Sequence, residues 1–149
     1  MKPTQPIAPS LPLNQAIAIV EAALAAAPAH QLAKIAVVVT DVGGAIRAGA
    51  SSDNQTAFGF DIAHNKARTA IGFQSSSLRL AEFFSKNPSS TIGVTGVTGG
   101  QFLPIGGGIV ILNADGQIVG GAAVAGGAPA IDHAVISAAV VAVGLKVLE

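Results

Sequence analysis

The stretch from Phe102 to Val135, FLPIGGGIVILNADGQIVGGAAVAGGAPAIDHAV, limits the possible folds of this chain more than any other. It combines glycine pairs and a glycine triplet with β-branched and alanine runs, and its only acidic residues are Asp115 and Asp132. Glycines in such a stretch either cradle a phosphate group or allow two backbones to pack closely. The choice between these roles decides whether the chain is interpreted as a nucleotide-binding enzyme.

Neither common nucleotide-binding motif is present. A P-loop requires a glycine followed by lysine, and no glycine in the chain precedes a lysine. A Rossmann fingerprint requires G-x-G-x-x-G between a strand and a helix of a βαβ unit, and GGAAVAGG has neither that spacing nor that context. We therefore expect Gly120 and Gly121, inside a predicted strand, to serve close packing. Gly106 to Gly108 are compatible with either role.

The low charge of the chain excludes some partners and predicts self-association. Of the 149 residues, 50% are apolar and 11% are charged, against about 25% charged residues in an ordinary soluble domain. A domain of this size cannot bury so much apolar surface alone, so we expect a homo-oligomer whose interface includes part of residues 134–143. The net charge is zero and no basic patch is present, which argues against nucleic acid.

Other classes of site and location are also limited by composition. The absence of cysteine excludes disulfides, thiolate metal sites and cysteine nucleophiles. The longest apolar run, at residues 134–145, is shorter than the roughly 20 residues of a membrane-spanning helix and is followed by Lys146. The first residues contain prolines but no apolar signal-peptide core. We therefore expect no membrane partner and a cytoplasmic location.

Hydrophobic periodicity predicts a flexible N-terminal arm at residues 1–12 and one α+β domain at residues 13–149. Helices are predicted at residues 13–27, 56–73, 77–84 and 129–148, and strands at residues 34–41, 45–51, 107–113 and 117–125. Residues 91–97, TIGVTGV, are predicted as a short strand or a loop. Two hairpins predict an antiparallel sheet flanked by helices, in the order α-β-β-α-(α)-β-β-α.

The histidines leave functional and structural interpretations open. His64, within a predicted helix, is a haem or metal ligand, a base, or a polar-face or core residue. His133 lies in the first turn of the last helix, where a protonated imidazole is unfavourable to the helix dipole. Because of that mismatch, a ligand-binding or interface role is more expected for His133 than for His30, which follows the break at Pro28. No two histidines have the spacing of a metal site.

Lys66 is the charged residue with the least usual predicted position. Apolar spacing places Lys66 on the side of its helix that packs against the sheet, so Arg68 does not lie on that side. Lys66 then either extends to water or meets an anion. As structural ion-pair partners for this lysine we consider three acidic residues, Asp41, Asp53 and Asp61.

A further candidate anion site is the turn ahead of the last helix. The first N–H groups of a helix have no partner within the helix and therefore favour an anion. The turn GGAPAI, which contains Gly126, Gly127 and Ala130, is thus predicted to face a ligand carboxylate, with Asp132 beside it.

Taken together, four stretches resemble the GlcG/HbpS-like haem-binding-protein family over residues 13–144. They are VVVTDVGGAIRAGASSD, with Asp41, Gly44, Arg47 and Asp53 at recurrent positions, HNKARTAIGFQSSSL, LPIGGGIVILNADGQIVGGAAVAG and IDHAVISAAVVAVG. The chain departs from the family pattern at three positions, with Ala123 for glycine, Ala125 for serine and His133 for glutamate. The resemblance implies a profilin-like or PAS-like sandwich that assembles into oligomers. Some members of the family bind haem, and others accompany glycolate or diol metabolism.

The first functional hypothesis is therefore an oligomeric small-molecule-binding protein whose ligand is haem or another anionic tetrapyrrole. Arg47 or Lys66 would pair with a ligand carboxylate. His64 or His133 would approach the iron, with His64 the candidate axial ligand. The remaining candidate binding residues are Gly126, Gly127 and Asp132.

Two alternatives remain. In the first, the chain is an enzyme that acts on a small carboxylate or hydroxy acid by acid/base chemistry, with Lys66, Asp53 and His133 as candidate catalytic residues. Otherwise it is an accessory scaffold subunit in which the glycines only pack.

Overall fold

The chain folds into one antiparallel sheet with helices on both faces, in a computed structural model that describes residues 10–148. The helices are α1 (Leu13–Ala26), α2 (Gly59–Phe73), α3 (Ser77–Ser85), α4 (Pro88–Val97) and α5 (Pro129–Ala142). The strands are β1 (Ala36–Thr40), β2 (Ile46–Ser51), β3 (Gly108–Leu112), β4 (Ile118–Ala125) and β5 (Lys146–Leu148). The strand order is β2-β1-β4-β3-β5, and every neighbouring pair is antiparallel. The predicted α+β class is confirmed.

The alternating side chains of the strands divide the core into two layers. Val37 and Val39 of β1 belong to the larger layer, between the sheet and helices α1 and α5. Ala36 and Val38 point to the opposite face and pack with Ala63 of α2. Helix α2 therefore covers one face of the sheet, and α1 and α5 cover the other.

Missing side chains on β3 and β4 let α2 lie close to the sheet. A Cβ atom added at Gly121 would lie 3.1 Å from the carbonyl oxygen of Ala67 and 3.2 Å from Cβ of Ile71. A Cβ atom added at Gly108 would collide with the carbonyl group of Lys66. The close-packing role predicted for Gly121 is confirmed, because larger residues at these positions would hold the helix away from the strands.

The prediction of a strand or loop at residues 91–97 is wrong, because these residues belong to α4. Pro88 lies in the first turn of α4, where its missing N–H removes no hydrogen bond from the helix. No residue of α4 is buried. A helix with no buried face needs no apolar stripe, so its sequence does not carry the apolar periodicity by which a helix packed on a core is recognised.

The last helix is shorter than predicted, since α5 ends at Ala142 and not at residue 148. Gly144 has a φ angle of +86°, a left-handed conformation that commonly ends helices. Lys146–Leu148 then form β5, which pairs with β3. A short apolar run of this kind is compatible with both helix and strand, so periodicity alone does not separate them.

The predicted N-terminal arm lies outside the described residues except for residues 10–12. Leu11 is buried and donates its backbone N–H to the carbonyl oxygen of Val119 over 3.3 Å. Within residues 10–148, no helix is both long enough and apolar enough to cross a lipid bilayer.

We predict that Gly121→Val lowers the free energy of unfolding by about 1–3 kcal/mol, because the added atoms overpack the contact between α2 and β4. Urea denaturation measures this loss. Gly93→Val is the matched control, since Gly93 lies in α4 with no atom near its missing Cβ, and its stability should remain close to that of the parent. Equal stability of all three proteins would contradict the close-packing role of Gly121.

Candidate functional site

A buried ion pair joins α2 to α5. Nζ of Lys66 lies 2.9 Å from Oδ2 of Asp132, and these residues are only 3% and 1% exposed. The same ammonium group donates a hydrogen bond to the carbonyl oxygen of Val124 on β4 over 3.2 Å. Lys66 thus enters the interior as predicted, and it meets an anion there and does not extend to water.

The identity of that anion differs from the prediction. Asp132 is the partner of Lys66, and the proposal of Asp41, Asp53 or Asp61 is wrong. Asp41 accepts hydrogen bonds from backbone N–H groups of its own turn, and Asp61 is exposed at the start of α2. Asp132 lies 66 positions from Lys66 along the chain. The two side chains meet only because α2 and α5 pack against the same sheet, one on each face.

The carboxylate of Asp132 also organises the glycine turn ahead of α5. It accepts a hydrogen bond from the N–H of Gly127 over 2.8 Å and a second from the N–H of Gly126 over 3.3 Å. These N–H groups were predicted to face a ligand carboxylate, and in this structure they contact a carboxylate of the chain itself. A carboxylate at the start of a helix is also favoured by the helix dipole.

A cavity of about 240 Å³ opens beside this ion pair, and we call it the Lys66 cavity. Both members of the pair line it, together with both glycines of the turn. The remaining lining residues come from the start of α2, the loop before it and the strand ends: Lys34, Gln55, Thr56, Gly59, Ile62 and Ala125. Gln55 is held in place by a 3.1 Å hydrogen bond from its Nε2 to the carbonyl oxygen of Ala125.

His64 lies on a different side of α2. Its Nε2 atom is 2.9 Å from the carbonyl oxygen of Gly44, in the turn between β1 and β2. A carbonyl oxygen only accepts hydrogen bonds, so Nε2 carries the proton, and in the neutral ring the lone pair lies on Nδ1. His64 and Lys66 do not share a face of the helix, as the spacing of two residues predicts.

A second cavity, of about 340 Å³, lies along the same turn, and we call it the Arg68 cavity. Arg68 lines it one helical turn after His64, so the two side chains lie on one side of α2. The other lining residues are Val42, Gly43, Gly44, Thr69, Ile71, Gly72, Phe73, Thr98, Gln101 and Phe102. Phe73 and Phe102 belong to an aromatic cluster with Phe84, in which the ring centroids of Phe84 and Phe102 are 4.8 Å apart.

His64 does not line either cavity, and three further candidate residues also lie outside both. Nη2 of Arg47 donates to the carbonyl oxygen of Leu11 over 3.3 Å, and Leu11 belongs to the core layer opposite α2. Asp53 is exposed in the turn after β2. His133 is half-buried next to Asp132 and does not line the Lys66 cavity. The ligand-binding and catalytic roles proposed for these three residues stay predictions.

Two charged residues that line the cavities were not among the sequence-based candidates. Arg68 was detectable, because it follows His64 by four positions and such residues are neighbours on a helix. Lys34 gave no signal, because it precedes a strand by two positions in a segment without any motif. Within the described part of the chain, no three His, Asp or Glu side chains are grouped as a metal ion would require.

These features define a small α+β sandwich in which one helix, α2, places cationic side chains in two separate cavities. Residues 11–141 match the family model described as haem degrading protein HbpS-like, and the chain belongs to this HbpS-like family. The resemblance found in the sequence is thereby confirmed. No curated protein sequence matches the chain.

Solved structures share the fold at low sequence identity. A crystal structure of a PduOC–haem complex has a TM-score of 0.83 and 20% identity, over 95% of this chain and 100% of that one. A crystal structure of HbpS has a TM-score of 0.81 and 23% identity, over 95% of each chain. Protein ORFY of Klebsiella pneumoniae has a TM-score of 0.82 and 19% identity, over 96% of this chain and 97% of that one.

We predict that Lys66→Met lowers the free energy of unfolding by about 3–5 kcal/mol, because it leaves the buried charge of Asp132 without its partner. The double variant Lys66→Met/Asp132→Asn should be more stable than Lys66→Met alone, since no uncompensated charge then remains. Chemical denaturation measures these two variants and Asp132→Asn alone, with the exposed Lys86→Met as control. A double variant that only adds the two single losses would contradict a direct pairing.

Proposed function

We propose that this protein binds haem, or another anionic tetrapyrrole, in the Arg68 cavity. The observation that carries the proposal is a cavity with largely apolar walls and the guanidinium group of Arg68 in its lining. The imidazole ring of His64 does not line the cavity, but it lies one helical turn from Arg68 and contacts the lining residue Gly44. Membership of the HbpS-like family supports it, since the family description refers to haem degradation. The similar fold of the PduOC–haem complex supports it further.

The lining of the Arg68 cavity fits the chemistry of such a ligand. Val42, Ile71 and Phe73 offer apolar contact to a ring. Arg68 offers a charged, forked donor that suits a carboxylate. The cavity volume of about 340 Å³ lies at the small end of the roughly 300–1,000 Å³ of ligand cavities, so a large flat ring would keep one edge outside it.

His64 would hold the metal of the bound tetrapyrrole, with its ring anchored to the β1–β2 turn by the contact with Gly44. Because its Nε2 donates to Gly44, the nitrogen available for coordination in the neutral ring is Nδ1. A hydrogen bond from the second ring nitrogen to a backbone carbonyl is the arrangement that fixes the orientation of metal-binding histidines. Haem, when bound, supplies iron-centred redox chemistry, and the residues described here would bind and orient it.

We further propose that the chain acts as a homo-oligomer. Apolar side chains remain exposed on α5, where Val141 is 61% exposed and Ile131 is 37% exposed, and Ala134 and Ala138 lie between them. The spacing of these residues places them on one stripe of the helix. A second subunit would cover this stripe, and burial of apolar surface would stabilise the assembly.

The haem proposal predicts a ranking of variants in a titration followed by Soret absorbance. His64→Ala and Arg68→Ala should each weaken haem binding about tenfold or more, which corresponds to the loss of one coordinating or charged contact. His133→Ala should have a smaller effect, and His30→Ala, outside the Arg68 cavity, should have none. Equal affinities of the parent and all four variants would rule out the Arg68 cavity as the haem site.

The oligomer proposal predicts opposite outcomes for two neighbouring residues. Val140 is 0% exposed within one subunit, so Val140→Asp should unfold the protein, because an unpaired charge in an apolar core costs several kcal/mol. Val141→Asp should leave the subunit folded and reduce its sedimenting mass at micromolar concentration. Circular dichroism and analytical ultracentrifugation measure the two effects. A parent protein that sediments only as a monomer would contradict the proposal.

A further inference from the structure

We propose that the Lys66 cavity is a second binding site, separate from the haem site, and that it takes a small organic monocarboxylate. The two cavities share no lining residue. The inference rests on the buried ion pair, on the charge of the cavity walls and on the volume. It does not depend on the haem proposal, because His64 and Arg68 do not line this cavity.

The walls of the Lys66 cavity carry one positive charge in excess. Lys34 and Lys66 are cationic and Asp132 is anionic, with no other charged residue in the lining. Asp132 pairs with Lys66, and Lys34 forms no salt bridge within residues 10–148. A ligand with one negative charge neutralises this excess, whereas a dianion would place a second negative charge near the buried carboxylate of Asp132.

Hydrogen-bond donors remain for such a ligand. The ammonium group of Lys66 has three donors, of which one is used by Asp132 and one by the carbonyl oxygen of Val124. Lys34, which is half-buried as a residue, adds the three donors of its ammonium group. A carboxylate between the two lysines would receive charge-assisted hydrogen bonds, which are about twice as strong as neutral ones.

The volume of the Lys66 cavity suits a small ligand. A cavity of about 240 Å³ corresponds to about eight water molecules, at roughly 30 Å³ for each in the liquid. A carboxylate with a short carbon chain fits this space, and Ile62 and Ala125 give the chain apolar contact. A Cβ atom added at Gly126 would collide with the carbonyl oxygen of Lys34, so this glycine lets the turn pack closely beside β1 at the edge of the cavity.

The test is an NMR titration of isotope-labelled protein with acetate, propionate and butyrate, and with inorganic phosphate as the multivalent comparison. We expect saturable shifts of the Gly126 and Gly127 amide signals, because these N–H groups contact Asp132 beside the ligand. Lys34→Gln should weaken carboxylate binding about tenfold, as expected when one charge-assisted contact is lost. Lys34→Arg, which keeps the positive charge, should retain most of the affinity.

The controls separate a site from general electrostatics and from the haem cavity. Lys86→Gln removes the same charge from an exposed position on another part of the chain and should leave carboxylate affinity unchanged. His64→Ala should also leave it unchanged, even where it abolishes haem binding. The proposal is overturned by the absence of shifts at both glycines with every carboxylate, by equal losses in Lys34→Gln and Lys86→Gln, or by tighter binding of phosphate than of any carboxylate.

Discussion

The close contact of α2 with the sheet is the constraint on which both cavities depend. The carbonyl groups of Lys66 and Ala67 lie over Gly108 and Gly121, where a side chain would collide or crowd. The close approach of α2 to the sheet lets the ammonium group of Lys66 reach Asp132 at the start of α5. Because the pair is buried and holds two backbone N–H groups of the glycine turn, it fixes the orientation of α5 relative to α2.

A single helix, α2, lines two separate cavities because of its angular spacing. Each residue of an α-helix is rotated by about 100° from the one before it, so residues two positions apart point in nearly opposite directions. His64 and Arg68 are therefore neighbours near the β1–β2 turn, while Lys66 between them turns to the interior. A contiguous HNKAR sequence thus supplies an imidazole and a guanidinium to one side and an ammonium to the other.

The parts of the fold that were predictable are those in which one local pattern decides. The hairpins follow from strand alternation, and the inward position of Lys66 follows from helical spacing. The packing role of Gly121 follows from backbone sterics. The partner of Lys66 was not predictable, since Asp132 reaches it only through tertiary packing. Helix α4 and strand β5 were missed for a related reason, because exposed or very short elements carry no apolar period.

The two cavities on α2 differ in what bounds them. The Arg68 cavity is bounded by aromatic side chains and by the turn between β1 and β2, so its walls are largely apolar, and the one cation in its lining lies on α2. The Lys66 cavity is bounded by glycines and a buried ion pair, and its shape depends on backbone hydrogen bonds. The two proposed ligands would contact α2 from different sides, since the two cavities share no lining residue.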